Sequence, residues 1–128
     1  MLSSQRVLII EEMPLIALDI QRAVESAHAA DPVFAGDFKE AAGLAARFAE
    51  FDLAIVNPPE PGSPEMETAA QLAAACPAIV VCSATSVDLA GTALATAEIV
   101  AKPFSDDALL AACRRAMERR PHPIARKA

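Results

Sequence analysis

Apolar residues follow two periods along this chain. Four short runs are apolar almost without interruption: Arg6 to Ile10 (RVLII), Asp52 to Val56 (DLAIV), Ala78 to Cys82 (AIVVC) and Glu98 to Ala101 (EIVA). Continuous runs, unlike alternating ones, suit strands covered on both faces. Between them apolar residues recur at spacings of three and four, the period of a helix with one buried side. These are Ile16, Ile20, Ala23, Val24 and Ala27; Ala41, Leu44, Ala45 and Phe48; Met66, Ala69, Leu72, Ala73 and Cys76; and Leu109, Ala112, Cys113, Ala116 and Met117. With a short edge strand near Val33 to Ala35, the pattern predicts five strands alternating with five helices, a parallel sheet covered by helices on both sides. Helix boundaries agree: Pro14 suits a first turn, Asp37, Ser63 and Ser105 suit N-caps, and Asp106 and Asp107 suit the turn that follows. The segment Ser86 to Ala97 (SVDLAGTALATA) has to supply the fourth helix. Gly91 in mid-course and two threonines disfavour it, so it is expected to be short or mobile.

Composition narrows the picture without changing it. The chain has 128 residues, 54% apolar and 22% charged, enough for one domain over residues 1–120 with a short basic tail at 121–128. Its 30 alanines add little bulk, so the core is expected from 27 Val, Ile and Leu and 5 Phe. Net charge is −6, and six of the eleven basic residues (Arg114, Arg115, Arg119, Arg120, Arg126, Lys127) fall in the last fifteen positions. An acidic body repels phosphate backbones, so no nucleic-acid role is expected; the basic end complements a helix dipole or touches an anionic partner. Cys76, Cys82 and Cys113 are odd in number and lack metal-ligand spacing, which fits reduced core thiols in the cytoplasm. No export signal is read at the N-terminus, and the uncharged stretch 68–87 is interrupted by Pro77, so no membrane span is expected.

In an open parallel sheet the functional crevice lies at the carboxyl ends of the strands, where the strand order reverses. This sequence places Glu11 and Glu12 after the first strand, Asn57 after the third, Ser83 at the end of the fourth, and Lys102 with Pro103 after the fifth. Two carboxylates, an amide, a hydroxyl and an ammonium are expected to converge there. In this set VLIIEEMP, NPPEPG, CSA (Ser83 and Ala84) and AKPF (Lys102, Pro103 and Phe104), in order over nearly the whole chain, the sequence resembles the receiver domains of bacterial response regulators. The resemblance implies a flavodoxin-like doubly wound sandwich of three layers with strand order 2-1-3-4-5 and five helices.

It also implies a phosphoacceptor at position 57, where this chain has Asn57. A neutral amide is a poor nucleophile and cannot form an acyl phosphate. Pro58 and Pro59 have no N–H to offer a phosphoryl group, and Pro58 blocks the succinimide route from Asn to Asp. The acidic pair is Glu rather than the commoner Asp, so Glu11 and Glu12 would hold Mg²⁺ weakly at most, the alternative being a solvated acidic turn or an ion pair with Lys102; no cofactor is required. Receivers commonly carry an aromatic switch residue three positions before the lysine, and here that position is Ile99. The expectation is an atypical, phosphorylation-independent single-domain receiver of bacterial two-component signalling. Its partner would be a signalling protein, either a histidine kinase or a downstream regulator, or a second copy, met through the fourth helix, fifth strand and fifth helix with Val87, Leu89, Leu94 and Ile99 as contacts. No output domain is read after residue 120. Three alternatives stay open: a degenerate receiver sensing Mg²⁺, an anion or a small ligand; a small hydrolase using Ser83 and Lys102; and an oligomerisation subunit.

Overall fold

The structure, a computed structural model, describes Leu2, residues 4–84 and residues 88–119. The basic tail at 121–128 and Val87 lie outside the described residues. Elements run β1 (Val7–Ile10), α1 (Pro14–Ser26), β2 (Val33–Ala35), α2 (Phe38–Ala41) continuing as a 3-10 helix (Ala42–Glu50), β3 (Leu53–Val56), α3 (Glu65–Ala75), β4 (Ile79–Ser83), β5 (Glu98–Ala101) and α4 (Asp106–Arg119). All strand pairs are parallel and the order is β2-β1-β3-β4-β5.

Three of the four continuous apolar runs have the predicted meaning; the fourth, EIVA, forms β5, but only Val100 is buried there. Every side chain of β1, β3 and β4 is buried, and alternate residues feed two separate cores. Val7, Ile9, Leu53, Ile55, Val80 and Cys82 face α1 and α4, meeting Ile20, Val24, Leu109 and Cys113. Leu8, Ile10, Ala54, Val56, Ile79 and Val81 face the other layer, meeting Phe38, Phe48, Ala69 and Leu72. At roughly 1.5 to 3 kcal/mol for each large apolar side chain removed from water, these two layers are the main source of stability.

Local chemistry sets the ends. Pro14 opens α1, Asp37 Oδ1 accepts the Glu40 N–H at 2.8 Å, and Ser105 Oγ accepts the Ala108 N–H at 3.1 Å, all as expected. Ser63 does not cap with its side chain: α3 begins after Pro64, Ser63 offers only its carbonyl to the Met66 N–H at 3.1 Å, and its hydroxyl has no hydrogen-bond partner. After α2 the chain winds more tightly than the expected α-helix. Ala45, Phe48 and Phe51, spaced by three, all lie against the second core, and three residues per turn align such a seam.

The expected fourth helix is absent among the described residues, which hold four α-helices and the 3-10 stretch. Residues 88–97 instead form successive turns, for three local reasons. Asp88 Oδ1 accepts the Ala90 N–H at 2.9 Å, Gly91 sits at φ +77°, and the Thr92 hydroxyl donates to the Leu89 carbonyl at 2.7 Å while accepting the Leu94 N–H at 3.2 Å. A left-handed residue stops a helix, and side chains that satisfy backbone groups locally compete with it. Leu89 and Leu94 turn inward as a result. At 4% and 1% exposure they are core residues, not the surface contacts expected of them.

Candidate functional site

The carboxyl ends of β1, β3, β4 and β5 meet at a crevice of about 540 Å³, lined by Glu11, Glu12, Met13, Asn57, Pro58, Pro59, Glu60, Pro61, Ser83, Ala84, Asp88 and Lys102. Backbone hydrogen bonds carry the ladder into it. The Glu11 N–H donates to the Ala35 carbonyl at 3.1 Å, the Asn57 N–H to the Ile10 carbonyl at 2.7 Å, and the Lys102 N–H to the Ser83 carbonyl at 2.8 Å. The last of these brings the fifth strand's lysine beside the fourth strand's serine. Pro103 follows across a cis peptide bond.

Lys102 is the centre of the side-chain cluster. Its Nζ lies 2.6 Å from Glu11 Oε1 and donates to Asn57 Oδ1 at 3.2 Å. The Glu11 side chain is 1% exposed and that of Lys102 9%. Glu11 Oε2 accepts the Met13 N–H at 3.1 Å, so the carboxylate is held from both sides. A buried charge needs a partner, and here the two ions face each other as an ion pair, with Glu11 Oε1 making no hydrogen bond beyond that contact. Asn57 serves as acceptor with its oxygen turned to the ammonium, as a neutral amide can. Ser83, also buried, completes the floor.

The expected convergence is therefore only partial. Glu11, Asn57, Ser83 and Lys102 come together, with Ala84 beside them on the wall, whereas Glu12 is exposed on the rim. Successive residues leaving a strand point to opposite sides, so two adjacent carboxylates do not both turn inward. Ile99 is 50% exposed on β5 and, of the expected contacts Leu89, Leu94 and Ile99, is the one that reaches solvent. It borders a shallow groove with Pro103, Phe104, Ala108 and Arg115. At the far end of β5, Glu98 pairs with Arg115 at 2.8 Å and with Arg119; the hydrogen bonds from these two guanidiniums hold its carboxyl below the usual range.

Sequence reasoning missed part of the rim. Met13, which lines the crevice, and Leu15 and Leu18 in α1 are large apolar residues left exposed. The signal was available, since Leu15 and Leu18 fall off the stripe formed by Ile16, Ile20, Ala23, Val24 and Ala27. Asp88 on the rim was also missed, because its place depends on the turns that replace the helix.

The cysteines are all buried and none forms a disulfide. Burial pushes the Cys82 and Cys113 thiols up to about 12, which removes them as nucleophiles. Among the described residues no group of three or more His, Cys, Asp or Glu is placed to hold a metal, and no helix is long and apolar enough to cross a membrane.

No protein-family model matches this sequence, and a search of curated proteins finds no match. Solved structures do match. A response regulator receiver protein from Sinorhizobium medicae superposes with a TM-score of 0.77 at 18% identity, covering 94% of this chain and 100% of that one. A response regulator from Thermotoga maritima gives 0.71 at 22% identity, over 90% and 98% of the two chains. The chemotaxis protein CheY4 of Vibrio cholerae gives 0.68 at 20% identity, over 89% and 99%. The five-stranded parallel sandwich described above is thus the CheY-like receiver fold, with an amide, a lysine and one buried glutamate at the crevice where its strands end.

Proposed function

We propose that this chain is an atypical receiver of bacterial two-component signalling that works without phosphorylation, through contact with another signalling protein. The observation that carries this reading is Asn57: it stands at the end of β3 in a receiver fold, with its side-chain oxygen tied to Lys102. A carboxamide cannot form an acyl phosphate, and Pro58 and Pro59 give the adjoining turn no N–H donors. The Lys102 bridge to Glu11 and Asn57 holds the crevice in a single arrangement. Ile99, half exposed on β5, is aliphatic where receivers commonly carry an aromatic switch residue.

In this reading the signal leaves through a constitutive surface. The groove beside Ile99 on β5 and α4 is the face offered to a histidine kinase, a downstream regulator or a second copy of the chain. A hydrolase built on Ser83 is disfavoured, because a lysine general base has to be neutral, and the Lys102 ammonium is paired with Glu11.

Incubation with acetyl phosphate or phosphoramidate, read by intact-mass spectrometry, tests the proposal. The expected result is no phosphoryl adduct, and beryllofluoride with Mg²⁺ should leave the amide resonances of Ser83, Ala84 and Ile99 in place. A mass gain of one phosphoryl group at any crevice residue overturns it. Saturable shifts spreading from Ser83 to Ile99 would instead establish the ligand-sensing alternative.

A further inference from the structure

Receiver resemblance implies a divalent cation beside the acidic pair, yet the buried crevice oxygen without a hydrogen bond, Glu11 Oε1, is already covered by the Lys102 ammonium. Glu11 Oε1 faces the Lys102 ammonium at 2.6 Å, and Oε2 accepts the Met13 N–H. The Asn57 oxygen accepts from the same ammonium at 3.2 Å. Glu12, the other member of the pair, is exposed on the rim. Mg²⁺ demands nearly octahedral oxygen geometry and gives up its water reluctantly, so it needs several uncommitted oxygens in one place. These residues do not fit it.

The charge count agrees. Glu11 contributes one negative charge, Asn57 none and Lys102 one positive charge, so the buried part of the crevice is neutral as it stands. With Asn at position 57 the buried groups carry no net charge for a second cation, and the remaining carboxylates of the lining, Glu12, Glu60 and Asp88, stand outside the Glu11–Lys102 pair. We infer that the Lys102 ammonium is the resident cation of this crevice, so that the Lys102–Glu11 ion pair and a bound divalent ion exclude each other. The inference rests on the reading of the crevice proposed above and adds what regulates it: the site is insensitive to divalent ions because its counter-ion is the lysine that follows β5.

Mn²⁺ is the probe, read by paramagnetic broadening of amide resonances in the wild-type chain, in Lys102→Met and in Lys102→Met combined with Glu11→Gln. Millimolar Mn²⁺ is expected to leave the Glu11, Asn57 and Ser83 amides of the wild type sharp. Lys102→Met is expected to bind at least about thirtyfold more tightly, since a unit positive charge ~4 Å from a dication opposes it by about that factor even at the dielectric constant of water. The double variant should lose the gain. Broadening of the wild-type crevice at micromolar Mn²⁺, or no gain in Lys102→Met, overturns the inference. Should Lys102→Met fail to fold, the wild-type lysine ammonium resonance decides: its displacement by millimolar Mg²⁺ refutes the pairing, and an unchanged signal upholds it. A phosphoryl adduct would defeat the proposed function without moving any of these readouts, so the two failures are distinguishable.

Discussion

The ion pair between Glu11 and Lys102 should be measurable as a coupling energy. At 2.6 Å, an effective dielectric constant of 20 gives an attraction of about 6 kcal/mol. Taking both ions out of water offsets much of this. Lys102→Met is therefore expected to cost about 3 kcal/mol, the lower end for breaking a buried pair, because it strands the Glu11 carboxylate with a single backbone donor. Glu11→Gln should cost less, about 1 to 2 kcal/mol, because the amide can still accept from the ammonium. The double variant is expected to cost about 2 kcal/mol, which makes the coupling about 2 kcal/mol or more. Urea unfolding of the four proteins at neutral pH, with midpoints and slopes compared, supplies the cycle. The coupling should persist in high salt, since a pair this buried is poorly screened. A coupling below about 0.5 kcal/mol would show that the two side chains do not act as a unit, and the argument for a fixed crevice would fail with it.

Three further outcomes are expected. Leu94→Ala should destabilise the fold by about 2 to 4 kcal/mol, whereas Leu15→Ala should stay within about 0.5 kcal/mol, in the same urea assay; equal effects would contradict the burial of the 88–97 segment. Cys82 and Cys113, with thiols raised to about 12 by burial, should resist a thiol-disulfide reagent at pH 8 until urea is added, and fast labelling of the native protein would refute their placement. Glu98 is held below its ordinary value of 4.5 by Arg115 and Arg119, so its contribution is complete above that value and is lost as pH falls through the lower folded one. Glu98→Gln should accordingly be less stable than wild type near neutrality and converge with it in acid, and a pH-independent difference would sink the assignment.

Much of this fold was legible because burial on both faces leaves an unbroken apolar signature. RVLII, DLAIV and AIVVC marked three such strands, while EIVA, with only Val100 buried, and Val33 to Ala35 marked the two edges. The crevice cluster was legible because strand ends are fixed once strands are: Glu11, Asn57, Ser83 and Lys102 each follow or close an apolar run. What was not legible depended on side chains satisfying the backbone. Asp88 and Thr92 turned the 88–97 segment away from helix, and with it Leu89 and Leu94 passed from surface to core. The spacing of Ala45, Phe48 and Phe51 favoured a tighter winding that a three-or-four pattern does not separate from an α-helix. Glu12 was assigned inward by analogy with its neighbour, although adjacent residues at a strand end face opposite ways.

The crossover from β4 to β5 has a dynamic consequence. Between Asp88 and Ala97 its backbone hydrogen bonds are single turns, Thr92 to Leu89, Ala95 to Thr92 and Ala97 to Leu94, with no ladder to propagate them. Two leucines pin this stretch to the sandwich, and at roughly 1.5 to 3 kcal/mol each they hold it by about 3 to 6 kcal/mol. Its amides should therefore exchange with solvent through local openings populated about once in a hundred to once in several tens of thousands, while the strands beneath wait for global unfolding. The 88–97 segment is thus weakly cooperative with the sandwich it covers, and a partner that closes on it would slow exchange there first.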